Sequence, residues 1–279
     1  MKVMEALRWA EGELRELESP RLEAEILLYH VMKWKRHHLY LNHIHKICMP
    51  DLKRYREVVD RRKNREPLQH ITGEVEFLGR TFIAEKGALI ARPETEYLTE
   101  LFMRELSSPE YILDVGTGSG VIALSIALEF PDASVIATDI SRDALLVAQR
   151  NRDLFKIDNL LLASADLLNA FRLDTHIFDG VIANLPYIPS HQIIGLEPEV
   201  SKGDPHIALD GGADGLELVL SLIDSVHGII RKSGILVLEL GEEQVKKVSE
   251  ILESIPHWKN VRQITDLAGR PRAVTARAN

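Results

Sequence analysis

A chain of 279 residues with 45% hydrophobic and 27% charged residues has an ordinary globular composition, long enough for one large α/β domain and a smaller companion. The single cysteine, Cys48, excludes an internal disulfide framework, and no apolar run has the length of a membrane helix or the shape of a signal peptide; a cytoplasmic protein without a membrane partner is therefore expected. The net charge of −8 is uneven, with 15 Lys and Arg against 11 Asp and Glu in residues 1–72, which leaves −12 for residues 73–279 and argues against a body that wraps nucleic acid unaided.

Residues 2–65 read as helices. Leu7, Leu14 and Leu17 recur at helical spacing until Ser19-Pro20 interrupts them. Leu22, Ile26, Leu27 and Val31 resume the pattern, with Pro20 suited to a first helical turn. A third helix is predicted over Asp51–Asn64, stopping before Pro67. Lys33 to Arg65 holds 11 basic and 3 acidic side chains and four histidines, which fits either an approach to an RNA-rich partner or a solvated helix face. Val75–Phe82 then resembles a short hairpin with Gly79 in its turn. The expected division is a helical domain over 1–72, a hairpin connector over 73–90 and a larger domain over 91–279.

From Pro93 onward helices and strands alternate. Helices are predicted over Glu94–Leu106, Val121–Glu129, Arg142–Phe155, Leu216–Arg231 and Gln244–Ser254. Strands are predicted over Tyr111–Val115, Ser134–Asp139, Leu160–Ala165, the run Phe178–Ala183 that ends at Asn184, and Ile235–Leu240. Two β-like runs at the end, Val261–Thr265 and Ala273–Ala276, suggest a hairpin that adds an antiparallel last strand. The expected fold class is α/β, a doubly wound, mostly parallel sheet with a small N-terminal helical domain.

Two stretches carry chemistry. Gly116-Thr117-Gly118-Ser119-Gly120 follows a predicted strand and opens a helix, so glycine permits a tight turn and close approach of a ligand to the backbone. The dinucleotide fingerprint wants a glycine where Val121 stands. A compact G-x-G-x-G after Asp114 fits S-adenosylmethionine better. Asp139 ends the next strand, where a carboxylate accepts hydrogen bonds from both ribose hydroxyls; the bland alternative is a helix N-cap, which Ser141 supplies equally well. Asp166 and Leu167 end the third strand, where one acceptor and one apolar wall would frame an adenine; a surface turn and core packing are the plainer readings.

Asn184-Leu185-Pro186-Tyr187 lies where a buried parallel strand meets solvent, the edge at which open α/β sheets bind ligands. An amide nitrogen is a poor nucleophile because its lone pair is delocalised. Methylating it calls for positioning and for acceptors. The Asn184 side-chain carbonyl and the Leu185 backbone carbonyl offer two, and Tyr187 offers a flat face for a planar amide. The chemistry demands no general base of high pKa and no metal. The plain alternative is that Asn184 and Pro186 only end the strand.

These stretches make the chain similar to the protein-(glutamine-N5) methyltransferases of peptide chain release factors, the PrmC/HemK family. The similarity extends to Arg65–Gly73, Arg92–Glu96, Glu197-Pro198 and the glycine-containing Ala208–Leu216. It implies a helical N-terminal domain that recognises the release factor, and a Rossmann-like class I methyltransferase domain. It implies transfer of methyl from S-adenosyl-L-methionine to the glutamine of a Gly-Gly-Gln loop in class 1 peptide chain release factors, with no direct nucleic-acid substrate. Gly116, Thr117, Gly118, Ser119, Gly120, Asp139, Leu167 and Asn184 match the family's cofactor contacts, and Asn184–Tyr187 match its glutamine clamp. Leu185 replaces the family's usual proline, so a somewhat looser clamp backbone is expected, and Leu167 replaces a position that is aromatic in some relatives. Arg92–Glu96 reads as a helix start or a lid, and Glu197-Pro198 as the border of a substrate entrance or a solvated loop. The rival readings are a ribosomal-protein glutamine methyltransferase, an adenine-N6 nucleic-acid methyltransferase, and a cofactor-binding protein that has lost catalysis.

Overall fold

The computed structural model describes all 279 residues, which divide into two compact units. The first comprises Met1–Glu74 and Glu197–Gly203, the second Val75–Leu196 and Asp204–Asn279. No helix is long and apolar enough to cross a membrane.

The first unit contains α1 (Val3–Glu13), α2 (Pro20–Met32), α3 (Arg36–Leu41), α4 (Met49–Lys63) and α5 (Leu68–Thr72). Val3, Ala6, Leu7 and Ala10 bury one stripe of α1, and Leu52, Tyr55 and Val59 do the same on α4. Pro20 occupies the first turn of α2, where its missing N–H costs nothing. The buried Tyr55 hydroxyl donates to the Ala24 carbonyl at 2.9 Å. α4 starts two residues before its predicted start, with Pro50 in its first turn. α3 and α5, six and five residues long, had no periodic signature to announce them. Several basic side chains of Lys33–Arg65 are held by acids of the same unit: Arg36 by Glu25 at 3.1 Å, Lys63 by Glu13 at 2.6 Å and Arg61 by Glu66 at 2.7 Å. Arg62, only 7% exposed, is clasped between Glu23 and Glu199, and Arg65 reaches Glu199 at 2.7 Å. This charge is thus largely committed inside the unit, as a solvated and internally paired helix face would be.

The second unit begins with a hairpin, β1 (Glu74–Phe77) and β2 (Arg80–Ile83), whose two turn residues Leu78 and Gly79 are both left-handed. Val75, Phe77 and Phe82 are buried in the core that covers one face of the main sheet. There follow α6 (Pro93–Arg104), β3 (Tyr111–Val115), α7 (Val121–Glu129), β4 (Ser134–Asp139), α8 (Arg142–Phe155), β5 (Leu160–Ser164) and β6 (Phe178–Ala183). After the short α9 (Pro198–Gly203), which groups with the first unit, come α10 (Glu217–Val226), β7 (Ile230–Glu239), α11 (Val245–Ser254), β8 (Trp258–Thr265) and β9 (Pro271–Ala278). The seven strands lie in the order β5-β4-β3-β6-β7-β9-β8, with β9 alone antiparallel to its neighbours. The α/β doubly wound sheet and its antiparallel last strand agree with the pattern read from the sequence.

The largest boundary shift lies between α10 and β7. The helix predicted over Leu216–Arg231 stops at Val226, and β7 begins at Ile230 rather than Ile235. Val226, Ile229 and Ile230 continue helical spacing and are all buried, but the chain turns over 227–229 and Ile230 enters the sheet. The strand order also fixes where a ligand belongs. From β3 the chain runs outward through β4 and β5, then returns to place β6 on the other side of β3. At such a switch point the loops leaving the two adjacent strands diverge and open a crevice.

Candidate active site

The loop after β3 forms one wall of that crevice. Gly116, Gly118 and Gly120 have φ of 75°, 58° and 83°, a region that glycine enters without penalty. The N–H groups of Gly116 and Thr117 both donate to the Thr138 carbonyl, at 2.8 and 2.9 Å, which folds the loop back on β4. Beneath it, the fully buried Asp114 accepts the Thr117 hydroxyl on Oδ2 at 2.6 Å, while its Oδ1 has no partner. Burial pushes its carboxyl up to about 7 against the opposing pull of the Thr117 hydroxyl and the Ala123 N–H.

Asp139 ties the loop to the next helix. Its Oδ2 accepts the Gly118 N–H and its Oδ1 the Ser141 N–H, both at 2.8 Å. Burial raises its pKa and these backbone donors oppose the rise. The N-cap of α8 is supplied by Ser141, whose Oγ accepts the Ala144 N–H at 3.2 Å, so Asp139 is not spent on capping. Beyond β5, Asp166 and Leu167 form a turn in which Leu167 has φ of 48°.

The second wall follows β6. The register Val115↔Ala183 sets Gly116 and Asn184 side by side at neighbouring strand ends. Gly116, Thr117, Gly118, Ser119, Asp139, Asp166, Leu167, Asn184, Leu185 and Pro186 all line one cavity of about 680 Å³, within the usual size of a small-molecule site. Gly120 and Tyr187 do not line it. A Cβ on Gly120 would stand 3.0 Å from Ala148 Cβ, which makes this glycine a close-packing position between α7 and α8. Leu185 is buried, and a Cβ on Gly116 would approach its Cδ2 to 2.9 Å. The leucine side chain therefore wedges against the glycine loop and couples the two walls.

Behind the cavity lies a group that sequence reasoning missed. Asn184 Nδ2 donates to Thr95 Oγ1 at 3.2 Å, and both residues share a small buried void with Glu239, which ends β7. Glu239 and Thr95 are 5% and 3% exposed. Burial pushes Glu239 up to about 7. An acid at the carboxyl end of a parallel strand was the available signal, the same one that selected Asp139. Arg92–Glu96 forms the N-terminus of α6, as its helix-start reading required, and Arg92 also pairs with the buried Asp204 at 2.7 Å.

The backbone of Pro186 and Tyr187 is braced by the glycine loop 211–215. Gln244 Nε2 donates to the Tyr187 carbonyl at 2.8 Å, and burial pushes the Tyr187 phenol up to about 12. A Cβ on Gly211 would sit 2.6 Å from the Pro186 oxygen; one on Gly215, where φ is +74°, would sit 2.1 Å from the Tyr187 oxygen. Gly215→Ala is therefore expected to lower stability by about 1–3 kcal/mol through left-handed strain, with the clash added. It should also displace the Tyr187 backbone and break the Gln244 bond. Thermal melting together with turnover checks this; a variant with unchanged melting and turnover would remove the bracing role.

Comparison with known proteins gives two family matches: residues 5–73 match the model described as the PrmC N-terminal domain, and residues 80–196 the methyltransferase small domain. The chain is 38% identical over 263 residues to the release factor glutamine methyltransferase of Moorella thermoacetica, covering 93% of this chain and 92% of that protein. It is 35% identical over 281 residues to the protein of the same name from Clostridium acetobutylicum, covering 99% and 98%. Among solved structures, a methyltransferase from Pyrococcus furiosus superposes with a TM-score of 0.53 at 17% identity, covering 72% of this chain and 89% of that one, a likeness of fold alone.

Proposed function

Because the chain belongs to the release factor glutamine methyltransferase family, we propose that it transfers a methyl group from S-adenosylmethionine to the side-chain amide nitrogen of the glutamine in the Gly-Gly-Gln loop of class 1 peptide chain release factors. The observation that carries this reading is the shared cavity: the glycine loop and the Asn184 strand end open into one space at the switch point of the sheet.

The residues present fit the cofactor. At Gly118 nothing stands within 4 Å of where a side chain would project, so the backbone there is open to a ligand. Asp139 presents a carboxylate to paired hydroxyls such as those of ribose, Leu167 an apolar wall and Asp166 an acceptor. When bound, S-adenosylmethionine supplies an electrophilic methyl on a sulfonium. The protein's own task is to hold a planar amide still in front of it. Asn184 Oδ1 and the Leu185 carbonyl accept the two N–H bonds of the substrate amide and draw off positive charge as the nitrogen engages. By resemblance to the family's clamp Tyr187 is assigned the ring face beside that amide, although it does not itself line the cavity. No side chain needs to remove a proton before the nitrogen attacks; as the new N–C bond replaces the sulfonium–methyl bond, a neutral thioether would be left and the surplus N–H proton would pass to solvent.

Residues 1–72 are read as the release-factor-recognition domain, 73–90 as the hairpin connector and 91–279 as the methyltransferase domain; the match over 5–73 supports the first boundary, whereas the match over 80–196 begins within the hairpin. A cytoplasmic location suits a partner in translation. The test is incubation with labelled S-adenosylmethionine and, separately, purified release factor, ribosomal proteins or DNA, followed by peptide mapping. Label is expected on the glutamine of the Gly-Gly-Gln loop. Label on nucleic acid and none on release factor would overturn the reading, and label on ribosomal protein alone would replace the acceptor.

A further inference from the structure

Glu239 is a buried carboxylate with no ion pair to justify it. Arg272 acts on it only at Coulombic range, because the arginine's ion pairs go to Asp266 at 3.2 Å and Glu94 at 3.8 Å. A well-packed uncharged side chain at such a position is commonly neutral or stabilising. What the carboxylate does have is direction. When ionised it only accepts hydrogen bonds, and Thr95 and Asn184, which share its void and favour its charged form, are the donors beside it, so it draws the Thr95 hydroxyl proton and the Asn184 NH2 toward itself. Thr95 Oγ1 in turn accepts from Asn184 Nδ2 at 3.2 Å.

The consequence falls on the other end of the Asn184 amide. An asparagine side chain has two nearly isosteric orientations of opposite hydrogen-bonding character, and its surroundings choose between them. With the NH2 turned inward to Thr95 Oγ1 and the void it shares with Glu239, the carbonyl oxygen is the end presented to the cavity.

We propose that Glu239 is a positioning residue for methyl transfer, which through Thr95 and the Asn184 NH2 keeps the Asn184 carbonyl facing the substrate amide. It presupposes the Asn184 clamp proposed above. The neighbouring β6–β7 register, Ala183↔Leu238, carries the two residues out of the sheet side by side, so the link needs no moving part. The charged and titratable groups around Glu239 are Glu94 from α6, Arg272 from β9 and Tyr187 from the loop after β6.

Glu239→Gln in the full chain tests this. A glutamine offers its own NH2 to Asn184, so the flipped amide, with NH2 facing the substrate, becomes competitive. The kcat for methylation of release factor is expected to fall about tenfold or more, a loss of roughly 1.4 kcal/mol in transition-state stabilisation. The Kd for S-adenosylmethionine should stay within about twofold. Melting should not fall: a carboxyl raised in the fold is protonated there and ionised in the unfolded chain between its ordinary value and about 7. Ionised Glu239 is therefore a net burden above that window, and glutamine removes it. In the wild-type protein kcat should rise with pH through a limb near 7, and this limb should vanish in Glu239→Gln.

Wild-type kcat in the variant would overturn the proposal, as would parallel loss of cofactor binding and melting temperature, the mark of a merely structural role. If the variant fails to fold, the wild-type profile decides, since a flat kcat from about pH 6 to 8.5 also overturns it. Failure of wild-type protein to label release factor removes the clamp and this proposal together. Normal wild-type transfer with an indifferent Glu239→Gln removes this proposal alone.

Discussion

Asn184→Ala is expected to abolish methyl transfer to release factor, lowering kcat by roughly 100-fold or more, the usual loss when one preorganised polar contact to a reacting group is removed. The side chain supplies the one carbonyl that a neighbouring buried network points at the cavity, and the Leu185 backbone carbonyl alone cannot fix a planar amide in two directions. Alanine leaves the strand end and the Leu185 wedge against Gly116 in place, so the cavity keeps its shape. Thr95 Oγ1 loses the Asn184 donor, and a buried acceptor that loses a single hydrogen bond costs about 1–3 kcal/mol. Melting should therefore fall modestly and S-adenosylmethionine affinity only slightly, since most of the cavity wall lies on the glycine loop and around Asp139. Single-turnover labelling, calorimetry and thermal melting separate the three quantities. Near-normal turnover would sink the clamp.

How much of this was legible in the sequence depended on whether the signal was local. β3, β4 and β6 are short apolar runs bounded by turn residues, and each matches its predicted bounds. The end of α10 was illegible because Val226, Ile229 and Ile230 satisfy helix and strand patterns alike, and only sheet pairing decides between them. The glycine loop and Asn184 were found because glycines and a polar residue at strand ends stand out in the chain. Glu239 was overlooked for the converse reason: Leu238-Glu239-Leu240 looks like an ordinary strand end until the β6–β7 register sets it against Asn184. The fate of Leu185 was also non-local. Sequence offered only the loss of a rigid proline, whereas the fold recovers constraint by burying the leucine against Gly116. Gly211 and Gly215 entered through family resemblance alone, and their reason is steric, the close approach of the Pro186 and Tyr187 carbonyls.

Asp139→Ala is the second large effect, and it should act on cofactor binding rather than on the transfer step. Each carboxylate oxygen holds one backbone N–H, from Gly118 and Ser141, and each keeps lone pairs for a ribose hydroxyl. Alanine therefore removes the ligand's acceptors and releases Gly118 from the geometry that opens the cavity floor. Hydrogen bonds to a charged group contribute about 1.5–3 kcal/mol, so S-adenosylmethionine affinity should fall by roughly 10- to 150-fold. α8 should persist, because its N-cap is Ser141. Asp139→Asn should be nearly as damaging despite its shape: one oxygen becomes an NH2 that must face the Gly118 or Ser141 N–H, donor against donor. Burial raises the Asp139 pKa, so the carboxylate that ribose needs is protonated at a higher pH than an exposed aspartate. Wild-type affinity should accordingly weaken as pH falls through that raised value, and the Asn variant should not share that dependence. Calorimetric titration of both variants across pH decides the matter. Unchanged affinity in Asp139→Ala would mean that the carboxylate serves only to shape the loop, and the ribose role would have to be given up.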